Sequence, residues 1–266
     1  MTMTIERNGP VTTIIRARSQ TRNAMDPASA EALLEAFQEF DRDPTQFVAV
    51  LWGAGGAFCA GFDLKYAAGL AGERAALSAF AFPSDDSPAP RGPMGPTRLE
   101  LSKPVIAAIA GPAVAGGMEL ALWCDLRVME ESAYMGVYCR RWGIPLIDGG
   151  TVRLPRIVGR GRALDIILTG RKVPAEECLR IGLCERVVPD GTGREAAEAL
   201  AHAIARFPQE CMRADRRSVV LQEGLSERAA LRAEWACSAA VVEREGVEGA
   251  LRFAQGKGRH GDFADI

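Results

Sequence analysis

The chain has 266 residues, 48% of them hydrophobic and 25% charged, which suits one substantial domain with at most a small appendage. A formal net charge of −2 carries no basic bias and argues against nucleic acid as a partner. No apolar run is long enough for a membrane span, and the start Met1-Thr2-Met3-Thr4-Ile5-Glu6-Arg7 lacks a basic stretch followed by an apolar core, so no secretory signal and a cytoplasmic location are expected.

Val11 to Ile15 reads as a strand. Asp26-Pro27 then opens a helix, Asp as cap and Pro at the first helical position, with Ala30, Leu33, Leu34, Phe37 and Phe40 on one face. Phe47 to Trp52 reads as a buried strand, turned by Gly53-Ala54-Gly55-Gly56. The unit recurs as strand Val105 to Ala110, helix Gly116 to Trp123 and strand Leu126 to Met129, which predicts an α/β core. Between the two units, Tyr66 to Ser102 reads as irregular, and the proline-rich run Phe82 to Pro93 favours a mobile lid over a passive insertion. From about Glu195 the pattern turns helical, with a stripe at Ala196, Leu200, Ala203, Ile204 and Phe207. Further helices are expected near Met212–Gln222, Ser226–Ala239 and Val241–Ala254, before a polar tail. This divides the chain into a core, residues 1–194, and a helical region, residues 195–266. Such an end segment is equally compatible with an oligomerisation element and with an intramolecular cover.

The seven cysteines, Cys59, Cys124, Cys139, Cys178, Cys184, Cys211 and Cys237, are scattered, odd in number and without C-x-x-C spacing, so reduced and mostly buried thiols are expected. Only two histidines occur, His202 in the helical segment and His260 in the tail, which removes a histidine triad and a histidine-rich metal site. Gly53-Ala54-Gly55 begins like a dinucleotide fingerprint, but Phe58 stands at its last glycine position.

What remains is backbone donors beside carboxylates. The run Ala113 to Glu119 follows a strand and opens a helix, whose first turn presents unpaired N–H groups and a partial positive charge. Glycine lets a ligand oxygen approach them, and Glu119 lies one turn on, on the same face. On its own this pattern reads as close helix–strand packing with a first-turn Glu satisfying the dipole. A second glycine turn, Ala57 to Leu64, shifts the balance: convergence of the Phe62 and Gly116 N–H groups would form a two-donor oxyanion hole.

Phe58-Cys59-Ala60-Gly61-Phe62-Asp63-Leu64 and Pro104 to Leu120 resemble the two signatures of the crotonase, or enoyl-CoA hydratase/isomerase, superfamily. Arg22-Asn23-Ala24-Met25, Leu146 to Thr151 and Leu154 to Gly159 are similar to its other motifs, and the likeness runs from about residue 5 to 260. The resemblance implies a spiral of repeated ββα units with C-terminal helices that build trimers or dimers of trimers. It implies an acyl-CoA thioester substrate, with no separate cofactor and no metal. The thioester oxygen would be held by the amides of Phe62 and Gly116. Arg22, Ala24, Ala60 and Asp63 would line the CoA groove, and Phe253 and Lys257 match C-terminal positions that touch CoA, in some members from a neighbouring subunit.

Two departures matter. Ala115 replaces the first glycine of the usual triplet. The second glutamate of typical hydratases falls at Cys139, or at Arg140 under a one-residue shift. Asp148 falls where dienoyl-CoA isomerases carry a catalytic Asp, and reads otherwise as a cap for the helix near Gly149. The expected activity is hydration of a 2-enoyl-CoA with Glu119 as principal acid/base and Asp148 assisting. A double-bond isomerase using the same pair, and a weakly active acyl-CoA binder, are the alternatives.

Overall fold

The computed structural model describes residues 2–69, 78–85 and 87–258. Two sheets organise it. The larger has the order β1-β2-β3-β4-β6-β9, with β1 (Met3–Asn8), β2 (Val11–Arg16), β3 (Val48–Gly53), β4 (Val105–Ile109), β6 (Leu126–Glu130) and β9 (Arg186–Val188). Among the described strands of this sheet only β1 runs antiparallel, joined to β2 through the Gly9-Pro10 turn, where Gly9 has φ +55. β1 is absent from the sequence reading: its polar, exposed residues hide it, and the Gly9-Pro10 turn, with Gly at the first turn position, is the one signal for it.

The smaller sheet contains β5 (Pro112–Val114), β7 (Tyr134–Gly136) and β8 (Val173–Pro174). β4 and β5, then β6 and β7, each place one strand in the large sheet and the next in the small one, followed by helical structure. This is the expected ββα repeat. Helices are α1 (Pro27–Arg42), α2 (Leu64–Gly69), α3 (Gly116–Trp123), α4 (Gly150–Val158), α5 (Arg160–Thr169), α6 (Ala175–Arg180), α7 (Gly193–Ala205), α8 (Gln209–Leu221), α9 (Glu227–Val241) and α10 (Val247–Ala254). A π-turn, Val242–Gly246, joins the last two.

The parallel strands are buried on both faces, as their continuous apolar runs require. In β3, Ala49 and Leu51 face the cluster containing Leu33 and Phe37 of α1, capped by the Asp26 side chain on the Ser29 N–H at 2.8 Å. Val48 and Val50 face α7 instead. The buried face of α7 is Ala197, Ala201 and Ala205, whereas Ala203 and Phe207 of the predicted stripe are exposed. Alanine wins that face because small side chains let the helix lie close on the valine-lined sheet. The boundary at 194 thus falls one residue inside a helix that packs on the core sheet. α9 packs on α8, and α8 is tied back by Arg216, which donates to Asp125 Oδ1 and the Leu101 carbonyl at 2.7 Å each.

The predicted lid divides. Residues 70–77 and 86 lie outside the described residues. Leu64–Gly69 is helical, and much of 80–91 is exposed. Met94 to Thr97, however, is buried and bonded to the core, because Asp148 reaches across to hold it. Among the described residues no helix is long and apolar enough to cross a membrane. Five cysteines are buried, Cys237 is half-buried and Cys211 is exposed.

Candidate active site

The two glycine turns meet because strand pairing brings them together. Cys59 donates to the Pro112 carbonyl and accepts from the Val114 N–H, both at 3.0 Å, which lays the 57–61 turn along β5. Glycine permits the approach: a Cβ on Gly117 would stand 2.1 Å from the Cys59 carbonyl oxygen. Gly61 has φ +93, and a Cβ there would stand 3.1 Å from the Gly116 nitrogen. Among the described residues, neither the Phe62 N–H nor the Gly116 N–H donates a hydrogen bond. The Gly116 N–H is an unspent donor at the first turn of α3, and the Phe62 N–H is an unspent donor one residue after Gly61 on the turn packed against it. Ala115, just before Gly116, carries φ +53, a conformation that strains a residue with a Cβ.

Glu119 lies in the first turn of α3 and is 3% exposed. Its Oε1 accepts from the Asp148 N–H at 2.9 Å and the Gly150 N–H at 2.8 Å, the amides at the start of α4. Burial, reinforced by the nearby Asp148 charge, pushes its pKa up to about 7, against the pull of those two amides. A Cβ on Gly150 would meet Glu119 Oε1 and Leu146 Cδ1 at 3.0 Å, so the α4 terminus lies directly on the carboxylate. Cys139, buried in the Tyr138–Trp142 turn, has its thiol pKa raised by burial and then by the Glu119 charge.

Asp148 is also 3% exposed, and burial raises its pKa. It does not cap α4, whose N-cap is Gly149 with no side-chain bond. Its Oδ1 accepts instead from the Met94 N–H at 3.1 Å and the Thr97 hydroxyl at 2.5 Å. Met94 in turn covers Gly116: a Cβ on that glycine would stand 2.6 Å from Met94 Sδ. Asp148→Asn keeps an acceptor for both donors but removes the charge, so it is expected to fold normally and to lower the Glu119 pKa, seen as an acidic limb of activity moved to lower pH. Asp148→Ala strands two buried donors and should lose about 2 kcal/mol in urea unfolding.

The residues expected at the CoA groove are assembled by a short ladder. Ala60 donates to the Arg22 carbonyl at 3.0 Å, Met25 to that of Gly61 at 2.8 Å, and Asp63 to that of Met25 at 2.8 Å. Arg22 and Asn23 hold positive φ of 52 and 55, and the Asn23 amide pins the bend to the Ala54 and Ala57 carbonyls. Arg22 is exposed and Ala24 is buried beside it. The Asp63 side chain is committed to the α2 terminus, accepting from Lys65 at 3.0 Å, and to Arg18 at 3.5 Å. Phe253 lies on α10, which packs against the π-turn before it, and Lys257 follows that helix. Sequence reasoning missed Met94, Thr97 and Arg153, whose roles depend on contacts across more than fifty residues of chain. Among the described residues no group of three or more potential ligands is placed to hold a metal.

The family described as enoyl-CoA hydratase/isomerase matches residues 6–258. Among curated relatives, the enoyl-CoA hydratase EchA19 of Mycobacterium tuberculosis is 34% identical over 259 residues, covering 94% of this chain and 92% of its own. Carnitinyl-CoA dehydratase of Salmonella typhi is 38% identical over 202 residues, 75% of this chain and 73% of its own. Among solved structures, enoyl-CoA hydratase EchA1 from Mycobacterium marinum superposes with a TM-score of 0.85 at 29% identity, covering 96% of both chains. The enoyl-CoA hydratase from Bacillus anthracis gives 0.85 at 31% identity with the same coverage. Fold, motifs and relatives agree, and the chain belongs to the enoyl-CoA hydratase/isomerase family of the crotonase superfamily.

Proposed function

We propose that the protein adds water reversibly across the double bond of a 2-enoyl-CoA. One observation supports this reading: the unspent Gly116 amide lies one helical turn from a buried carboxylate with a pKa raised to about 7, and the turn carrying the unspent Phe62 amide packs against Gly116. The amides stabilise negative charge on the thioester oxygen as the enolate forms. Ionised Glu119 takes a proton from water while the water oxygen bonds to C3, and the same proton passes to C2. Asp148 assists through its charge, which keeps Glu119 a strong enough base. Hydratase and dehydratase relatives name this addition and its reverse. Protonation and water addition involve no change of oxidation state, so CoA enters only as part of the substrate.

Arg22, Ala24, Ala60 and Asp63 form the wall against which CoA lies. Leu231, Trp235, Leu251 and Phe253 are more than half exposed on α9 and α10, and these helices build a trimer or a dimer of trimers. Phe253 and Lys257 then reach the groove of a neighbouring subunit. The protein works in the cytoplasm. Cys139 favours a second reading, a double-bond shift, because a thiol in place of the second carboxylate leaves the water on C3 with one base.

Crotonyl-CoA is the test substrate: loss of the enone absorbance with formation of the 3-hydroxy product supports hydration. CoA binding without either hydration or a shifted double bond would sink the enzymatic reading. Because ionised Glu119 is the active form, kcat/KM should fall about tenfold per unit below pH ~7 and level off above it. A pH-independent profile through that range would remove Glu119 as the base.

A further inference from the structure

Arg153 of α4 is a half-buried guanidinium with no carboxylate at ion-pair distance among the described residues. Its Nη1 donates to the Asp148 carbonyl at 2.9 Å and its Nη2 to the Thr97 carbonyl at 2.7 Å. Among the described residues it makes no ion pair. Such a cation costs free energy to desolvate, and neutral carbonyls offset this only in part. The two carbonyls belong to the two segments that frame the reaction site. Asp148 gives its N–H to Glu119, and the Thr97 segment carries Met94 over Gly116. The Thr97 hydroxyl closes a ring back to the Asp148 carboxylate. Packing is tight here, since a Cβ on Gly149 would lie 2.2 Å from Arg153 Nη1.

We propose that Arg153 is a positioning residue for proton transfer at Glu119: its fork locks the loop whose amide holds the carboxylate to the segment that covers Gly116, and its unpaired charge favours the ionised carboxylate. This rests on Glu119 being the acid/base. The charged and titratable groups around Glu119 are few. Asp148 faces it from the loop before α4, Arg153 from α4 itself and Cys139 from the Tyr138–Trp142 turn. One step out, Arg98 acts on Asp148, and Arg156 and Cys124 act on Arg153. Asp148 raises the Glu119 pKa and Arg153 lowers it, so they set it in opposition.

The test measures crotonyl-CoA hydration against pH for the full-length wild type, Arg153→Met, Arg153→Gln and Arg153→Lys, with thermal melting to confirm folding. Removing the charge moves the acidic limb to higher pH in both neutral variants. At a pH below the limb, kcat/KM then falls further below its plateau than in the wild type, by the factor that the displacement of the limb sets. Arg153→Lys keeps the charge but loses the fork, so its limb stays in place while kcat falls roughly tenfold. A limb that does not move in a folded neutral variant overturns the proposal. Should neither neutral variant fold, Arg153→Lys decides, and a full kcat or a displaced limb overturns it. Glu119→Gln runs in parallel: retained activity there removes the reading of the site, whereas its loss alongside unmoved Arg153 profiles removes only the role of Arg153.

Discussion

Glu119→Gln lowers kcat for crotonyl-CoA hydration by about 10³-fold, a transition-state loss of about 4 kcal/mol. Glutamine is nearly isosteric, and its amide oxygen can still accept from the Asp148 and Gly150 N–H groups that meet Glu119 Oε1. What it removes is the exchange of a proton. The same change separates catalysis from folding through its effect on stability. The folded pKa of Glu119 is raised, to about 7 from 4.5, so the folded state binds a proton that the unfolded chain has released. The stability that comes with the neutral carboxyl is fully present below pH 4.5 and is lost between 4.5 and about 7. Above that window the wild type carries a buried charge and the variant does not. Glu119→Gln should therefore melt at least as high as wild type, with an advantage at alkaline pH of at most about 3 kcal/mol. Retained hydration in a folded variant would end the assignment of Glu119, whatever its melting temperature.

The local features of this site are legible in the chain, and the long-range ones are not. Pro27 and Asp26 announce α1, the continuous apolar runs announce β3 and β4, and Gly116-Gly117 announces the opening of α3, because each rests on neighbours a few residues away. The convergence of the two glycine turns is also foreseeable, since successive parallel strands bring their following loops to one end of the sheet. Asp148 is different. Its surroundings at Gly149-Gly150 suggest a helix cap, yet its carboxylate is spent 51 residues upstream on Thr97. Met94 lies in a Pro/Gly-rich run that reads as a lid, and nothing local shows that its side chain closes over Gly116. Arg153 reads as one more charge on an amphipathic helix until the two carbonyls it forks are known. In α7 the stripe is right at Ala196, Leu200 and Ile204, which pack half-buried against the sheet cluster, but close packing gives the fully buried positions to Ala197, Ala201 and Ala205 beside them.

Gly61→Ala lowers kcat by about a hundredfold, the loss typical of one misplaced oxyanion donor, while KM changes little. Two effects act at this position. A residue with a Cβ at φ +93 is strained by roughly 1–2 kcal/mol, which destabilises the fold without touching chemistry. The new methyl would also stand 3.0 Å from Ala115 Cβ, and 3.1 Å from both the Gly116 nitrogen and the Val114 carbonyl oxygen. These contacts are tight enough that something must give by a few tenths of an ångström, and the Gly116 amide is among the groups that give. A donor displaced by that amount loses much of its hold on the developing oxyanion, whereas the ladder between Arg22–Met25 and Ala60–Asp63, which frames the proposed CoA groove, keeps its bonds. Gly56→Ala provides the control. Gly56 has a similar φ of +75 but no atom within 4 Å of the added methyl, so it isolates the strain. Both variants should melt lower than wild type by similar amounts, and only Gly61→Ala should lose kcat. Equal activity in the two variants would show that the Phe62 and Gly116 amides do not act on the thioester oxygen, because the variant that crowds them would then react no differently from the one that leaves them alone.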